Sequence, residues 1–409
     1  MTFQKADLQN GLTVIGELNP DARSMAAGYF VRTGSRDETP EINGASHFLE
    51  HMMFKGTERR TPEDVNREFD DMGAQYNAFT SEENTVYYGA VLPEHQEHVI
   101  DLLTDMMRPA LRESDFDLER NVILEEIAMY QDRPRFSVFD YARQAFYPGH
   151  PLGFSVLGTA ESIGKLQREQ MYAYWSRRYA SSNLFLALTG NYDWERAVRQ
   201  VKHLTGHWRP VEASRDLCAP AGAATVRVIQ NEKFQQAHLA FVFPGVAAQS
   251  EERFAAEVVA EAIGAADGSR FYWKLIEPGR AETARLYHSE EDGAGQFFVY
   301  AACSPASAQE IADAVREVLA EAMDKGLTAD EIERARRKIA AGMVLEGETP
   351  FGRLLHVGFD WQYRRALKPL SEVVDRILAV TPAEVEALLA RRPFAAGALV
   401  ALGPITELR

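Results

Sequence analysis

Short apolar runs bounded by turn residues alternate along this chain with longer segments whose apolar positions recur at helical spacing, a pattern that predicts strands and helices in two similar halves. Leu12-Thr-Val-Ile15 and Met25-Ala-Ala-Gly-Tyr-Phe-Val31 read as strands. So do Gln75 to Thr80 and Thr85 to Val91, separated by a polar Ser-Glu-Glu-Asn turn. Thr61 just before Pro62 predicts a helix start, and Gly73 predicts its end. Between Ser114 and Tyr130, Phe116, Ile123, Ile127 and Tyr130 recur as one buried helical stripe, with Ser114 as the expected cap and Asp117 three residues on.

The strands repeat. Leu12 to Ile15 and Met25 to Val31 recur as Val226-Arg-Val-Ile229 and Leu239-Ala-Phe-Val-Phe243. At the far ends, Leu184-Phe-Leu-Ala-Leu-Thr-Gly190, after a helix ending near Tyr179, matches Ala398-Leu-Val-Ala-Leu-Gly403, after a helix capped at Thr381-Pro-Ala-Glu384. Four matches in order at nearly one offset predict a duplication rather than chance similarity of apolar strands. The expected organisation is a first domain over 1–210, a linker over 211–224 rich in Ala, Pro and Gly, and a homologous second domain over 225–409. Each half starts and finishes with strands and carries helices between, an α+β class.

Length and composition agree. At 409 residues the chain exceeds one ordinary core, and 46% hydrophobic with 25% charged residues is a globular composition. No apolar run reaches the ~20 residues of a membrane span and the amino terminus lacks a secretion pattern, so the expected location is the cytoplasm with no membrane partner. A net charge of -16 argues against nucleic acid as a partner, because phosphate binding needs a basic surface. The two cysteines, Cys218 and Cys303, form no disulfide framework or Cys-x-x-Cys site and read as reduced thiols.

The candidate chemistry lies in His47-Phe-Leu-Glu50-His51. At about 100° per residue, two imidazoles four apart and a carboxylate between them fall within one helical turn and can point at one ion. Neutral imidazoles at that spacing grip Zn²⁺, and a neighbouring carboxylate that is not a ligand can take a proton from water. The bland reading is a decorated surface helix, as His95-Gln-Glu-His98 exemplifies in the same chain. The apolar setting of Phe48, Leu49, Met52, Met53 and Phe54 favours the metal, since unpaired polar groups there are costly. A tetrahedral catalytic site needs a third protein ligand, and the Ser114 to Tyr130 helix offers Glu126, with Glu119 seven residues earlier beside the same stripe as a supporting group. Alone, that helix reads as a charged face; its assignment depends on the histidine motif.

Together these segments resemble the pitrilysin and mitochondrial processing peptidase family of zinc metallopeptidases. The resemblance is carried by His47-Phe-Leu-Glu50-His51, by Glu119-Arg-Asn-Val-Ile-Leu-Glu-Glu126, and by Asn77-Ala-Phe-Thr-Ser-Glu-Glu-Asn-Thr-Val-Tyr-Tyr88. It implies His47, His51 and Glu126 as ligands of one zinc per chain, Glu50 as general base, Glu119 as a supporting carboxylate, and Asn77, Ala78 and Phe79 on an edge strand that receives the peptide substrate. It also implies two homologous domains, each a mainly antiparallel sheet packed with helices, together forming half of a clam-shell chamber. The second half has lost the metal motif, its counterpart helix near Glu251 to Ala260 carrying no histidine.

One departure stands beside these matches. Active members of the family place an arginine and, seven residues later, a tyrosine in the domain opposite the zinc. Aligning Gly268-Ser-Arg270 with the family pattern puts Ile276 and Thr283 there, and neither can donate as an arginine and a tyrosine at those places would. Arg280 and Tyr287 keep the spacing but sit four residues late, and are the weaker candidates. The expectation is therefore a zinc endopeptidase subunit for extended or unfolded peptides, acting as a homodimer or as a heterodimer with a related subunit that supplies the arginine and tyrosine. The alternatives are a non-catalytic binding or assembly subunit of the same family, and a hydrolase of a small amide or ester, which would leave the Asn77 strand unexplained.

Overall fold

The computed structural model describes residues 1–218 and 221–408; of the expected linker, Ala219 and Pro220 lie outside the described residues. The first half begins with β1 (Thr2–Asp7), β2 (Thr13–Leu18), β3 (Met25–Val31), α1 (Ala45–Met53) and α2 (Pro62–Asp71). It continues through β4 (Gln75–Thr80), β5 (Thr85–Val91), α3 (Gln96–Met106), α4 (Glu113–Gln131) and α5 (Pro134–Phe146), then α6 (Ala160–Lys165), α7 (Arg168–Arg178), β6 (Leu184–Gly190) and α8 (Trp194–Thr205). The second half runs β7 (Thr225–Gln230), β8 (Ala237–Pro244), α9 (Arg253–Gly264), β9 (Thr283–Glu291), β10 (Ala294–Cys303) and α10 (Ala308–Lys325). It ends with α11 (Ala329–Glu346), α12 (Pro350–Arg364), α13 (Leu370–Leu378), α14 (Pro382–Ala390) and β11 (Ala398–Gly403).

Each half builds one mixed sheet. The first has the order β1-β2-β6-β3-β5-β4, the second β7-β11-β8-β10-β9. In the first, β2 and β6 are parallel and the other neighbours antiparallel; in the second, β7 and β11 are the parallel pair. Omitting β1, the two orders are the same, which is the duplication read from the strands. No helix among the described residues is long and apolar enough to cross a membrane.

Both sheets are covered on both faces, which is why β3, β6, β8 and β11 are almost continuously apolar. One face of the first sheet presents Met25, Ala27, Tyr29, Leu186 and Leu188 to a core completed by α1, α3 and α4. Its other face, with Ile15, Ala26, Phe30 and Phe185, is covered by Leu354, Val357 and Trp361 of α12. Gly358 lets that helix approach, since a Cβ there would lie 2.0 Å from the ring of Phe30. In the second sheet Val138, Ala142 and Phe146 of α5 cover the face carrying Ala240, Val242 and Val400.

The compact units follow from this packing. One comprises Met1–Ile127, Phe154–Asp216 and Glu346–Pro369; the other comprises Ala128–Gly153, Leu217–Leu345 and Leu370–Arg409. They change over within the expected linker, between Asp216 and Leu217, but differ from the contiguous spans 1–210 and 225–409 by the exchange of α5 and α12. Periodicity identifies the apolar face of such a helix without saying which sheet receives it.

Local signals also met their structure. Thr61 caps α2 by accepting from the Asp64 amide, and Thr381 and Glu384 form a capping box on α14. Ser114 does not cap α4: the Phe116 amide already donates to the Arg112 carbonyl, so the helix starts earlier and Ser114 lies inside its first turn. Tyr130 is half-buried, and Glu119 takes a place in the buried stripe between Phe116 and Ile123.

Candidate metal centre

α1 is a short helix held from outside at its start. Gly44, at φ 94°, precedes it without a side chain to cap it. Glu38 substitutes: its Oε2 accepts from the Gly44 amide at 2.7 Å and from Asn43 Nδ2 at 2.9 Å, and its Oε1 accepts from the Ser46 amide at 2.7 Å. Burial pushes the Glu38 carboxyl up to about 7 against those bonds. The Ser46 hydroxyl lies 2.8 Å from that of Tyr174, so the turn that begins the helix is fixed on two sides.

From this helix His47 and His51 project to one spot and meet Glu126 of α4. The three candidate ligand atoms all lie within 4.8 Å of one another. Glu126 Oε2 is 3.8 Å from His47 Nε2 and 3.6 Å from His51 Nε2. Donors about 2.0–2.2 Å from a tetrahedral zinc stand about 3.3–3.6 Å apart, so the two distances to Glu126 are within a few tenths of an ångström of what the ion needs, and the three atoms as a set close in by rotamer adjustment. Burial, with His51 beside it, lowers His47 to about 3, which keeps the imidazole in its neutral, ligating form.

Of the two imidazoles, His51 has a partner behind it, whereas His47 Nδ1 is buried without one among the described residues. His51 Nδ1 is 3.0 Å from Glu119 Oε2, leaving Nε2 to face Glu126, and Lys55 Nζ is 2.6 Å from Glu119 Oε1. Burial alone would lower His51, but the Glu119 hydrogen bond and the charges of Glu126 and Glu50 outweigh it and raise it. Burial alone would raise Glu119, yet the bonds from His51 and Lys55 hold it below the usual carboxylate range. Glu50, one residue before His51, accepts from Thr80 Oγ1 at 2.6 Å. Burial raises its carboxyl against that bond and the nearby His51.

β4 lies at the end of the first sheet. By strand alternation Tyr76, Ala78 and Thr80 share the α1 side, where Tyr76 stacks on Phe69 with ring centroids 4.0 Å apart. Asn77 is exposed, and its Oδ1 accepts from the Ala78 amide at 2.9 Å. Phe79 points to the opposite face and packs near Phe359 of α12, with ring centroids 6.4 Å apart. In the other unit Ile276 packs against the core and Thr283 begins β9. Arg280 pairs with Glu310 at 2.8 Å, and Tyr287 is an exposed residue of β9.

Three contributors escaped the sequence reading: Glu38, Lys55 and Thr80. Lys55 carried a signal, since it stands four residues beyond His51. Thr80 carried one too, since strand alternation sets it on the same face as Ala78. Glu38 carried none, because its role depends on a turn that brings it back over Gly44.

Comparison with known proteins places this arrangement. The family model described as insulinase, peptidase family M16, matches residues 13–160, and the model described as peptidase M16 inactive domain matches residues 165–339. An uncharacterized zinc protease of Streptomyces coelicolor is 34% identical, covering 99% of this chain and 90% of the relative. The uncharacterized zinc protease YmxG of Bacillus subtilis is 32% identical, covering 94% of each. Among solved structures, a protease from Helicobacter pylori superposes with a TM-score of 0.89 at 18% identity, covering 98% of this chain and 99% of that one, which speaks for the fold. With family models matched over most of its length and zinc proteases among its full-length relatives, the chain belongs to peptidase family M16.

Proposed function

We propose that this chain is the zinc-bearing catalytic subunit of an endopeptidase that cuts extended or unfolded peptides. The observation that carries the reading is the convergence of His47 Nε2, His51 Nε2 and Glu126 Oε2, with the Glu50 carboxylate held beside them. When bound, zinc supplies a Lewis acid that polarises a scissile carbonyl and acidifies water. His47, His51 and Glu126 hold the ion, and Glu119 fixes the ring of His51 through Nδ1. Glu50 takes a proton from the attacking water and returns it to the departing amine. The outer edge of β4, at the end of its sheet, accepts the peptide as an added strand, a mode that reads extended backbone more than side chains.

With Ile276 and Thr283 where the family has its arginine and tyrosine, the reading includes a second subunit of the same family that brings those two side chains. The same absence is the specific support for a second reading, a binding or assembly subunit without turnover. One experiment separates them: zinc content of the purified chain, and hydrolysis of a fluorogenic peptide of about ten residues with and without a related subunit, for the parent and for Glu50→Gln. About one zinc per chain and hydrolysis that Glu50→Gln abolishes support the first reading; no hydrolysis under any pairing supports the second.

A further inference from the structure

We propose that Thr80 is a positioning residue for the general base, so that the strand offered to the peptide also orients the carboxylate that activates water. The inference rests on the catalytic reading above. Among the described residues, the Thr80 hydroxyl is the sole hydrogen-bond donor to the Glu50 carboxylate, at 2.6 Å to Oε2. A hydroxyl has one proton to give, and this short contact to a carboxylate is the stronger of its two options. The other acceptor, Thr85 Oγ1, is 3.4 Å away and sends its own proton to the Thr33 carbonyl at 3.0 Å. With Oε2 tied down, Oε1 is the oxygen free to receive a proton.

What makes Thr80 suitable is how firmly its strand end is fixed. The turn that follows is bound to the loop ahead of α1, with the Arg36 amide donating to the Glu82 carbonyl at 2.8 Å. Gly34 passes so close that a Cβ on it would lie 2.2 Å from the Ser81 carbonyl oxygen. Glu83, 1% exposed, meets Arg36 Nη1 at 2.5 Å, and Arg215 Nη2 donates to the Glu83 backbone carbonyl at 2.6 Å. A β4–β5 turn held by buried ion pairs gives Thr80 little freedom, and a rigid donor orients a catalytic carboxylate better than solvent does. Peptide added to β4 is thereby laid on the same rigid element that aims Glu50.

The test uses the zinc-loaded full chain, with the partner subunit present where turnover requires it, and an internally quenched peptide of about ten residues. Thr80→Val should lower kcat about 10–10²-fold with KM and zinc content unchanged, and Thr80→Ser should restore most of it. Glu50→Gln is run alongside. If Glu50→Gln is inactive while Thr80→Val turns over at the parent rate, the positioning role is wrong and the peptidase reading stands; if Glu50→Gln is as active as the parent, the peptidase reading itself falls. Should Val disturb the strand, seen as lost zinc or a lowered Tm, Thr80→Cys replaces it under the same kcat criterion, since a thiol is only a weak donor. A readout independent of turnover is the crystal structure of Thr80→Val: a Glu50 carboxylate that has turned away supports the inference, and one still in the parent orientation overturns it.

Discussion

The two units share a strand order and a layering, yet one has polar groups where the other is filled with carbon. The contrast is plainest in α4 and α11. Phe116, Glu119 and Ile123 are buried in the first helix, and Ile332, Ala335 and Ile339 are buried at the same spacing in the second. Ala335 thus stands where Glu119 does, and Gly342 where Glu126 does. The companion helices differ in the same sense. α1 carries His47, Glu50 and His51, whereas the buried residues of α9 are apart from Arg253 all apolar or glycine. α9 also lies hard on β9, since a Cβ on Gly264 would be 2.1 Å from the Leu286 amide nitrogen. The fold therefore needs none of these polar residues. Buried polar groups cost free energy unless paired, so their concentration in one copy points to a ligand that gives a return on that cost.

The largest expected effects fall on that concentration. Glu50→Gln should leave the zinc content at the parent level and lower peptide hydrolysis by about 10²–10⁴-fold, the usual contribution of a general base. His51→Ala or Glu126→Ala should instead lose the metal, as elemental analysis of the purified protein would reveal. Near-parent hydrolysis by Glu50→Gln would remove the chemical distinction drawn between the units.

Next is a stability test of the same contrast. Ala335→Glu places in the second unit the carboxylate that Glu119 provides in the first, but without a His51 or Lys55 to meet it. An unpaired buried charge should destabilise by about 3–5 kcal/mol. Denaturant unfolding measures it. An unchanged midpoint would mean that the second unit is as tolerant of polar burial as the first.

How much of this was legible in the sequence depended on how local the physics was. His47, Glu50 and His51 could be set on one helical face by spacing alone, because a helix fixes its own geometry. Glu126 could not. It stands 75 residues after His51, and nothing in periodicity says that α4 packs beside α1; the need for a third ligand offers it once the histidine motif is granted, and the family resemblance singles it out. The strands of each half were readable from apolar runs and turn residues, as was their repetition. The exchange of α5 and α12 was not, because an amphipathic pattern marks a face without naming its recipient. Glu38 was hidden for a similar reason, its bonds to Gly44 and Ser46 arising only after the chain turns back on itself.

Glu38 also gives the first unit a pH dependence. Burial raises its carboxyl from 4.5 to about 7, so the folded state holds the proton more tightly than the unfolded chain does. Its contribution to stability is complete below about pH 4.5 and is lost as pH rises through 7, a swing of up to about 3 kcal/mol. Glu38→Gln should flatten this part of the stability profile between pH 4.5 and 7, while its single carbonyl oxygen keeps an acceptor for only one of the Gly44 and Ser46 amides, so the variant is also less stable overall. A variant whose profile parallels the parent's would show that Glu38 is not the group responsible.

The smallest expected effect has the opposite sign, and it lies at the position corresponding to Glu126. Gly342 sits inside α11, where a Cβ would meet nothing within 4 Å. Glycine in a helix interior costs roughly 0.5–1 kcal/mol relative to alanine, through the freedom it retains in the unfolded chain. Gly342→Ala should therefore raise the stability of the protein by that amount, without a change in zinc content or peptide hydrolysis. The sign is what sharpens the comparison. At the matching position of α4 the side chain is a candidate ligand, and Glu126→Ala should lose the metal even though alanine is the better helix former. If Gly342→Ala instead weakened the protein or lowered turnover, the glycine would be required for close approach by something else, and α11 could not be treated as the plain structural copy of the helix that carries Glu126.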